Sequence, residues 1–571
     1  MGEVWSRRVT RSTVANMEPG QLSEDPGGDG RIPFTFRIGV TGHRDLADPD
    51  SFCAPIGEAL RRLRELVPVS PGVGLVPVVV SALAEGADRL VAKEVLGDKD
   101  ARLEVALPLP EEEYVKDFTS EASKEEFRCL LARASETPWQ APDGLDRDEA
   151  YERAGRYVVD RCDALIALWD GQKSRGRGGT AEIVGYAQEH GVPIAWVHTE
   201  GDPVVDYALE NSRAAVVKAA AAKLREYNAG VIEPAAFDQH ARALRKELMP
   251  DMAREIPIDP SGLSRETVAS WVFPYFIRAD ILALRYQRRF RRLSWAIFAL
   301  AAAAVAVVAI QANFWPGLNW LAVLEVLCLG GLLLILVMNR RWRLYDQWIS
   351  SRFLAERLRS SYFLALAGTG DRRGRSARLA YLSDSSEAWI ERALTEVSAR
   401  RPPLDDGSPP VRALRDYLNR SWIQSQISYQ QKASRRQGRF DDRLVRATEV
   451  LFLLTLVAAC IHIFGSLIFQ QGGIHGAESP GFWEELLVVV AITVPAVGAA
   501  FHGIGTQRQF RRHSERYRRM AGVLAQVQRD MAEATTLERI REVAAETEQI
   551  MREENSDWFG AMRFHDMELI T

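Results

Sequence analysis

An α/β domain on a parallel sheet, followed by an all-α membrane region with four transmembrane helices in two hairpins, is the fold class this sequence predicts. Three observations predict it. Strand-length apolar runs alternate with helical patterns over the first 200 or so residues. Four later segments of about 20 residues are almost free of charge. Arginine clusters border each pair of those segments.

The chain has 571 residues, 47% hydrophobic and 26% charged, which excludes collagenous, disulfide-rich and wholly disordered classes. Its 72 basic residues against 76 acidic ones give no bulk affinity for nucleic acid. Cys53, Cys129, Cys162, Cys328 and Cys460 form no CxxC pair and no zinc spacing, so neither a disulfide frame nor a metal site is expected. Residues 1–32 contain no apolar run after Arg7 and Arg8 and are expected to form a disordered tail rather than a signal peptide.

The elements of the first domain follow in order. FRIGVTG (36–42) is an apolar strand ending in a turn. VPVVVSALAEGADRLVAKEVL (76–96) is a strand, a small-residue turn and a helix. LEVALPLP (103–110) is a third strand. AYERAGRYVVDRCDALIALWDG (150–171) is a helix and a strand, and GGTAEIVGYAQEHGVPIAWVHT (178–199) is a glycine turn, a helix and a strand. Fully apolar strands alternating with helices imply a Rossmann-like parallel sheet covered on both faces. Such sheets bind ligands at the carboxyl ends of their strands.

Three turns fall at those ends. In the first, Gly39 and Gly42 flank Thr41 and allow close backbone approach, while His43 and Arg44 are of a type to meet phosphate. In the second, small residues around Gly86 let a ligand lie on the backbone; Asp88 is a helix cap or a partner for a ribose hydroxyl. The third runs from Gly171 to Thr180. Its glycines, including Gly178 and Gly179, its three basic residues and the helix that follows make an anion site, with Thr180 able to cap the helix and bond a phosphate oxygen.

GVTGHRDL (39–46), SALAEGADRL (81–90), DALIALWDG (163–171) and GRGGTAEIVGYA (176–187) together resemble the SLOG family, the Rossmann-like group that contains the LOG phosphoribohydrolases and the DNA-processing protein DprA. The resemblance covers residues 33–200. It implies a pocket for a nucleotide or nucleotide derivative, lined by Gly42, His43, Gly86, Gly178, Gly179 and Thr180. The LOG signature PGGxGTxxE carries its catalytic Glu three residues after the Thr. Here the Pro is missing and Glu182 lies two residues after Thr180, which turns its carboxylate by about 100° on a helix. Binding is therefore favoured over hydrolysis, and Glu182 or Asp88 is the acid/base group only in the alternative, enzymatic reading. No basic run in this domain supports a DNA role.

The four spans are WAIFALAAAAVAVVAIQA (295–312), then 318–338, 450–469 and 486–504. Each has the length an α-helix needs to cross about 30 Å of hydrocarbon. The connections 312–318 and 470–485 contain no Lys or Arg, whereas arginines crowd the opposite ends, among them Arg288, Arg340, Arg443 and Arg511. The positive-inside rule puts both hairpin loops outside and the N- and C-termini in the cytosol, in the inner (cytoplasmic) membrane. Trp315, Trp320 and Trp483 sit at the outer boundaries. The expected order is a helical cytosolic linker (201–284), a first hairpin (285–339), a cytosolic helical region (340–447), a second hairpin (448–506) and C-terminal cytosolic helices (507–571). The repeated layout of basic helix, two spans and Arg-rich helix suggests an internal duplication.

FIRADILALRYQRRFRRLSW (276–295), YDQWISSRFLAERLRS (345–360) and SWIQSQISYQQKASRRQGRF (421–440) look like SLATT domains, two-span effector modules found beside SLOG sensors in prokaryotic conflict systems. The likeness implies membrane disruption or pore formation on a signal at the sensor. Glu325 and His462 lie inside spans, where polar groups usually face a bundle interior or a wet lumen. Four helices per chain are few for a channel, so a pore implies a homo-oligomer. The expected function is a nucleotide-sensing membrane effector of an anti-phage type; the alternative is a membrane-tethered nucleotide N-glycosidase. The expected partners are the bilayer and a nucleotide-derived small molecule of unknown identity, with no other cofactor.

Overall fold

The computed structural model describes residues 28–67, 74–135, 138–142, 144–173, 178–201, 203–248, 265–369, 385–402, 410–471 and 481–563. The expected tail falls outside them up to residue 27; Ile32, at its far end, is buried, and Asn228 bonds its backbone from both sides. Two compact units divide the rest. An α/β unit runs to Ile232 and takes up 385–402 again, and a helical unit holds 233–369 and 410–563.

In the α/β unit the chain forms β1 (Phe34–Gly42), α1 (Cys53–Arg64), β2 (Leu75–Ser81), α2 (Ala87–Val95), β3 (Arg102–Leu107), α3 (Glu121–Leu131), β4 (Trp139–Gln140), α4 (Arg147–Arg161), β5 (Ala164–Trp169), α5 (Thr180–Glu189), β6 (Ile194–His198), β7 (Val205–Ala208) and α6 (Ser212–Asn228). The seven strands lie in the order β4-β3-β2-β1-β5-β6-β7. All neighbours are parallel except β6 and β7. The chain steps outward from β1 to β4 and returns through α4 to place β5 on the other flank of β1. That reversal is the switch point of a Rossmann-like sheet. Helices α1 and α2 pack on one face, α4 and α5 on the other. Covered twice, the central strands bury side chains from both faces, which is why Ile38, Val79, Val80, Ile166 and Leu168 read as unbroken apolar runs.

Two parts of this unit lie outside the expected pattern. The segment expected as a helical linker begins with the antiparallel edge strand β7, too short for a period-2 pattern to register. A helix from far along the chain, α11 (Ser385–Ala399), packs on α6 and β1. It is fastened at the amino ends of the strands. Asp163, fully buried before β5, accepts a hydrogen bond from the Arg37 backbone (2.8 Å) and pairs with Arg392 of α11. Burial works against the Asp163 charge, but the Arg392 charge and hydrogen bond hold its carboxyl below the usual range. Arg102 grips Glu396 through two nitrogens, at 3.0 and 2.9 Å.

The helical unit consists of α7 (Pro234–Leu248), α8 (Arg265–Phe314), α9 (Asn319–Trp342), α10 (Leu344–Ala367), α12 (Val411–Tyr417, continued by a π-helical stretch Leu418–Gln424), α13 (Ser425–Gln471), α14 (Phe482–Arg508), α15 (Phe510–Glu533) and α16 (Leu537–Arg563). Among the described residues, four helices are long and apolar enough to cross a membrane: Arg265–Phe314, Asn319–Trp342, the continuous run Val411–Phe464, and the run that begins at Phe482. Their apolar stretches are bare, with Val326 66%, Leu327 64% and Phe464 62% exposed. In water such a surface is a severe liability. The four helices therefore suggest a multi-pass membrane protein in contact with lipid.

The second helix of each hairpin ends in the same joint. Arg343, between α9 and α10, has φ 45° and ψ 41°; Gln509, between α14 and α15, has φ 44° and ψ 42°. These are single left-handed residues between two right-handed helices, a conformation that neither Arg nor Gln favours. Within the membrane stretch the hairpins meet where Gly503 of α14 receives the Phe298 ring of α8; a Cβ there would lie 2.6 Å from the ring.

Candidate functional site

A cleft of about 600 Å³ opens at the carboxyl ends of β1, β2 and β5, within the range of small-molecule sites. Its floor is the turn after β1. The His43 amide donates to Leu168 O (3.0 Å), which carries the backbone of Thr41 and Gly42 along β5 and into the cleft. A Cβ on Gly42 would sit 2.4 Å from the Ala87 Cβ, so only glycine lets α2 pack this closely on β1. His43 is oriented by Asp170: its Nε2 lies 3.1 Å from both the amide nitrogen and Oδ1 of that residue. Arg44 stacks over the Tyr151 ring at 5.1 Å.

The second turn is pinned to the first. Gly86, at φ 74°, is where α2 starts, and a Cβ there would meet Arg44 O at 2.2 Å. The Ala87 amide then reaches His43 O at 3.0 Å. Asp88 does not cap α2. It points back to the preceding turn, where Ser81 Oγ donates to it at 2.8 Å and the backbone of Ala82 and Ala84 adds further bonds. Burial pushes the Asp88 carboxyl up to about 6, although those hydrogen bonds pull the other way. In the same turn Leu83 is held at φ 56°, strain that Arg89 helps to lock by donating to its carbonyl at 3.0 Å.

The third wall is the glycine turn before α5. Gly178 adopts φ 77° and lies against the backbone of Glu152. Gly179, rather than Thr180, is the N-cap of α5. Thr180 is the first helical residue, and Glu182 of the first turn reaches back past the cap: its Oε2 accepts from the Gly178 amide at 2.8 Å. Lys173, Gly179, Thr180 and Ala181 border the cleft at the amino end of this ten-residue helix. Residues 174–177, with two of the three basic side chains expected in this turn, lie outside the described residues.

The structure thus brings Thr41, Gly42, His43, Arg44, Asp88, Gly178, Gly179 and Thr180 to one cleft. Gly39 lies deeper, against Cys162 and Val158, and serves packing. Gly86 supports the floor from behind. Glu182 is spent on the glycine turn, with Arg156 4.0 Å away. Glu325 is half-buried on α9, and His462 is half-buried on α13 with its Nδ1 unpartnered among the described residues.

Sequence reasoning missed the far wall. Tyr114, on a helical turn after β3, is fully buried and packs edge-on against Phe118 and Phe127. Its hydroxyl has no partner among the described residues, yet the residue lines the cleft. Tyr151, from α4, hydrogen-bonds Asp117, which also pairs with Arg147. Burial, reinforced by Asp117, pushes the Tyr151 phenol up to about 12. The only available signal was the aromatic in EEEYVKDF after the third strand, and its direction depends on how the β3 connection folds back. No potential metal cluster occurs among the described residues. No family model and no curated protein matches the chain.

Proposed function

We propose that the chain is a membrane effector whose α/β unit, a SLOG-like sensor, binds a nucleotide-derived ligand and whose tandem SLATT-like hairpins then perturb the membrane or open a pore. One observation carries the reading: a cleft at the switch point holds a glycine turn, a helix amino end and the cations Arg44 and Lys173, in a chain that also carries four bare apolar helices. Phosphate is the group that such a helix end and its cations stabilise. To drive the hairpins from closed to open, the ligand must favour the open state by about 5 kcal/mol.

The arginine flanks support placing both hairpin loops outside and both termini in the cytosol; the prokaryotic cell and the anti-phage role are what the SLOG-like and SLATT-like resemblance implies. Glu325 stands among the exposed Val323, Val326 and Leu327 on α9. A carboxylate facing lipid costs ~2.5–3.5 kcal/mol, which favours a homo-oligomer in which Glu325 turns to a shared lumen.

A second reading, nucleotide N-glycosidase activity, draws on Asp88, whose raised pKa suits a general acid. The engagement of Glu182 by the glycine turn counts against it. Incubating the purified full chain with nucleoside monophosphates, NAD and ADP-ribose separates the two. The sensor reading expects thermal stabilisation with the nucleotide recovered intact. Release of free base or ribose phosphate overturns it in favour of the enzyme.

A further inference from the structure

One wall of the cleft carries a buried hydroxyl that has no hydrogen-bond partner among the described residues. Tyr114 is 0% exposed, and its ring is fixed by Phe118 at 5.0 Å and Phe127 at 5.7 Å. A buried phenol normally finds a partner. This one lines the cleft without a partner among the described residues. It also feels the Asp88 carboxylate, which, after burial, does most to raise its pKa. Asp88 is 6% exposed and lines the same cleft. Its described bonds come from Ser81, Ala82 and Ala84, and a carboxylate accepts about four. One acceptor position on Asp88 and the Tyr114 hydroxyl are therefore left for a guest.

β1 separates β2, which carries the Asp88 turn, from β5, which carries the glycine turn. Two strand spacings put the two ends of the cleft on the order of 10 Å apart. A free phosphate cannot span that distance, whereas a sugar phosphate can.

We propose that Tyr114 and Asp88 form a sugar-reading pole: Asp88 accepts from one ribose hydroxyl and Tyr114 bonds its neighbour, while the phosphate lies at Gly179, Thr180 and Lys173 across the cleft. This inference rests on the nucleotide reading of the cleft and narrows it to ligands with an intact diol. Tyr114 is here a specificity residue for binding.

The test measures affinities of the full chain in detergent for AMP, GMP, CMP, UMP, ribose 5-phosphate, the 2′-deoxy nucleotides and inorganic phosphate, in the native protein and in Tyr114→Phe and Asp88→Asn. The expected result has three parts. Tyr114→Phe weakens ribonucleotide and ribose 5-phosphate binding about three- to tenfold. It leaves inorganic phosphate unaffected, and the native protein binds the 2′-deoxy compounds more weakly than their ribo counterparts. Its ligand-free Tm is no lower than that of the native protein, because the hydroxyl has no internal partner to lose. If ribonucleotides bind the native protein and Tyr114→Phe equally, or if deoxy compounds bind as well as ribo compounds, the pole is refuted and the cleft reading survives. If the native protein binds none of these probes, the cleft reading falls and the pole with it. A ligand-free Tm loss in Tyr114→Phe also refutes the pole, since it shows the hydroxyl to be engaged within the protein.

Discussion

The two membrane hairpins share one plan but are fastened differently. Each has a long helix that begins outside the apolar stretch, a short connection, a second span and a left-handed joint, at Arg343 in one and Gln509 in the other. Beyond the joints they part. In α10 nearly every turn is buried, charged residues included: Arg352 bonds Asp280 of α8 at 2.9 Å, and His240 of α7 reaches the same carboxylate at 2.9 Å. In α15 an apolar stripe is buried, and most of its arginines are exposed. The first hairpin also leaves the α/β unit and returns to it, since α11 beyond it is latched by Arg392 to Asp163. The second is followed by α16, which packs on α10. The same joint thus serves a hairpin held by buried charge and one held by apolar packing. The first is the one flanked on both sides in the chain by parts of the α/β unit.

The largest expected effects come from breaking the buried charges. Arg352→Ala leaves Asp280 buried with a weaker partner set and should cost about 3–5 kcal/mol, read as a large drop in Tm in detergent. Arg518 stands nine residues beyond Gln509, as Arg352 stands nine beyond Arg343, but it is exposed. Arg518→Ala should therefore change stability by less than about 0.5 kcal/mol. Equal losses in the two variants would erase the contrast between the hairpins. Arg392→Ala should cost a similar 3–5 kcal/mol by stranding Asp163, and limited proteolysis should then release α11 from the sheet.

The same contrast has a pH signature. Burial opposes the Asp280 charge, but the His240 hydrogen bond and the Arg352 charge hold its carboxyl below the ordinary 3.8. Stability from this network is fully present above that ordinary value and is lost as pH falls through the lowered one. Native protein should lose this contribution only below about pH 4, whereas Arg352→Ala should begin to lose stability at higher pH. Identical acid profiles for the two proteins would contradict the pairing.

Smaller effects are expected where the hairpins meet and at the joints. Gly503→Val pushes into the Phe298 ring and should cost about 1–3 kcal/mol. Arg343→Gly and Gln509→Gly each relieve a left-handed residue and should stabilise by about 1 kcal/mol, to the same degree in both halves. A gain at only one joint would show that the shared geometry does not reflect shared strain.

Much of this was legible in the sequence, for physical reasons. Strands covered on both faces and helices bare to lipid each write unbroken apolar runs, so the sheet and the four spans are visible without structure. The turns holding His43, Arg44, Asp88 and Gly178 were visible because glycines and polar residues punctuate strand ends. The joints were not, since Arg343 and Gln509 are not residues that announce a left-handed turn. Nor was α11, whose attachment rests on single residues, Arg392 and Glu396, scattered among ordinary helix charges. Tyr114 and Tyr151 became part of the cleft only through tertiary folding of their elements.

The most direct test of the central claim is dye release from vesicles reconstituted with the full chain, with nucleoside monophosphates, NAD and ADP-ribose added in turn. The account predicts release with at least one of them, abolished by Gly178→Trp, whose side chain collides with the Glu152 backbone and distorts the glycine turn, while Arg518→Ala responds as the native protein does. Release that persists unchanged in Gly178→Trp would contradict it.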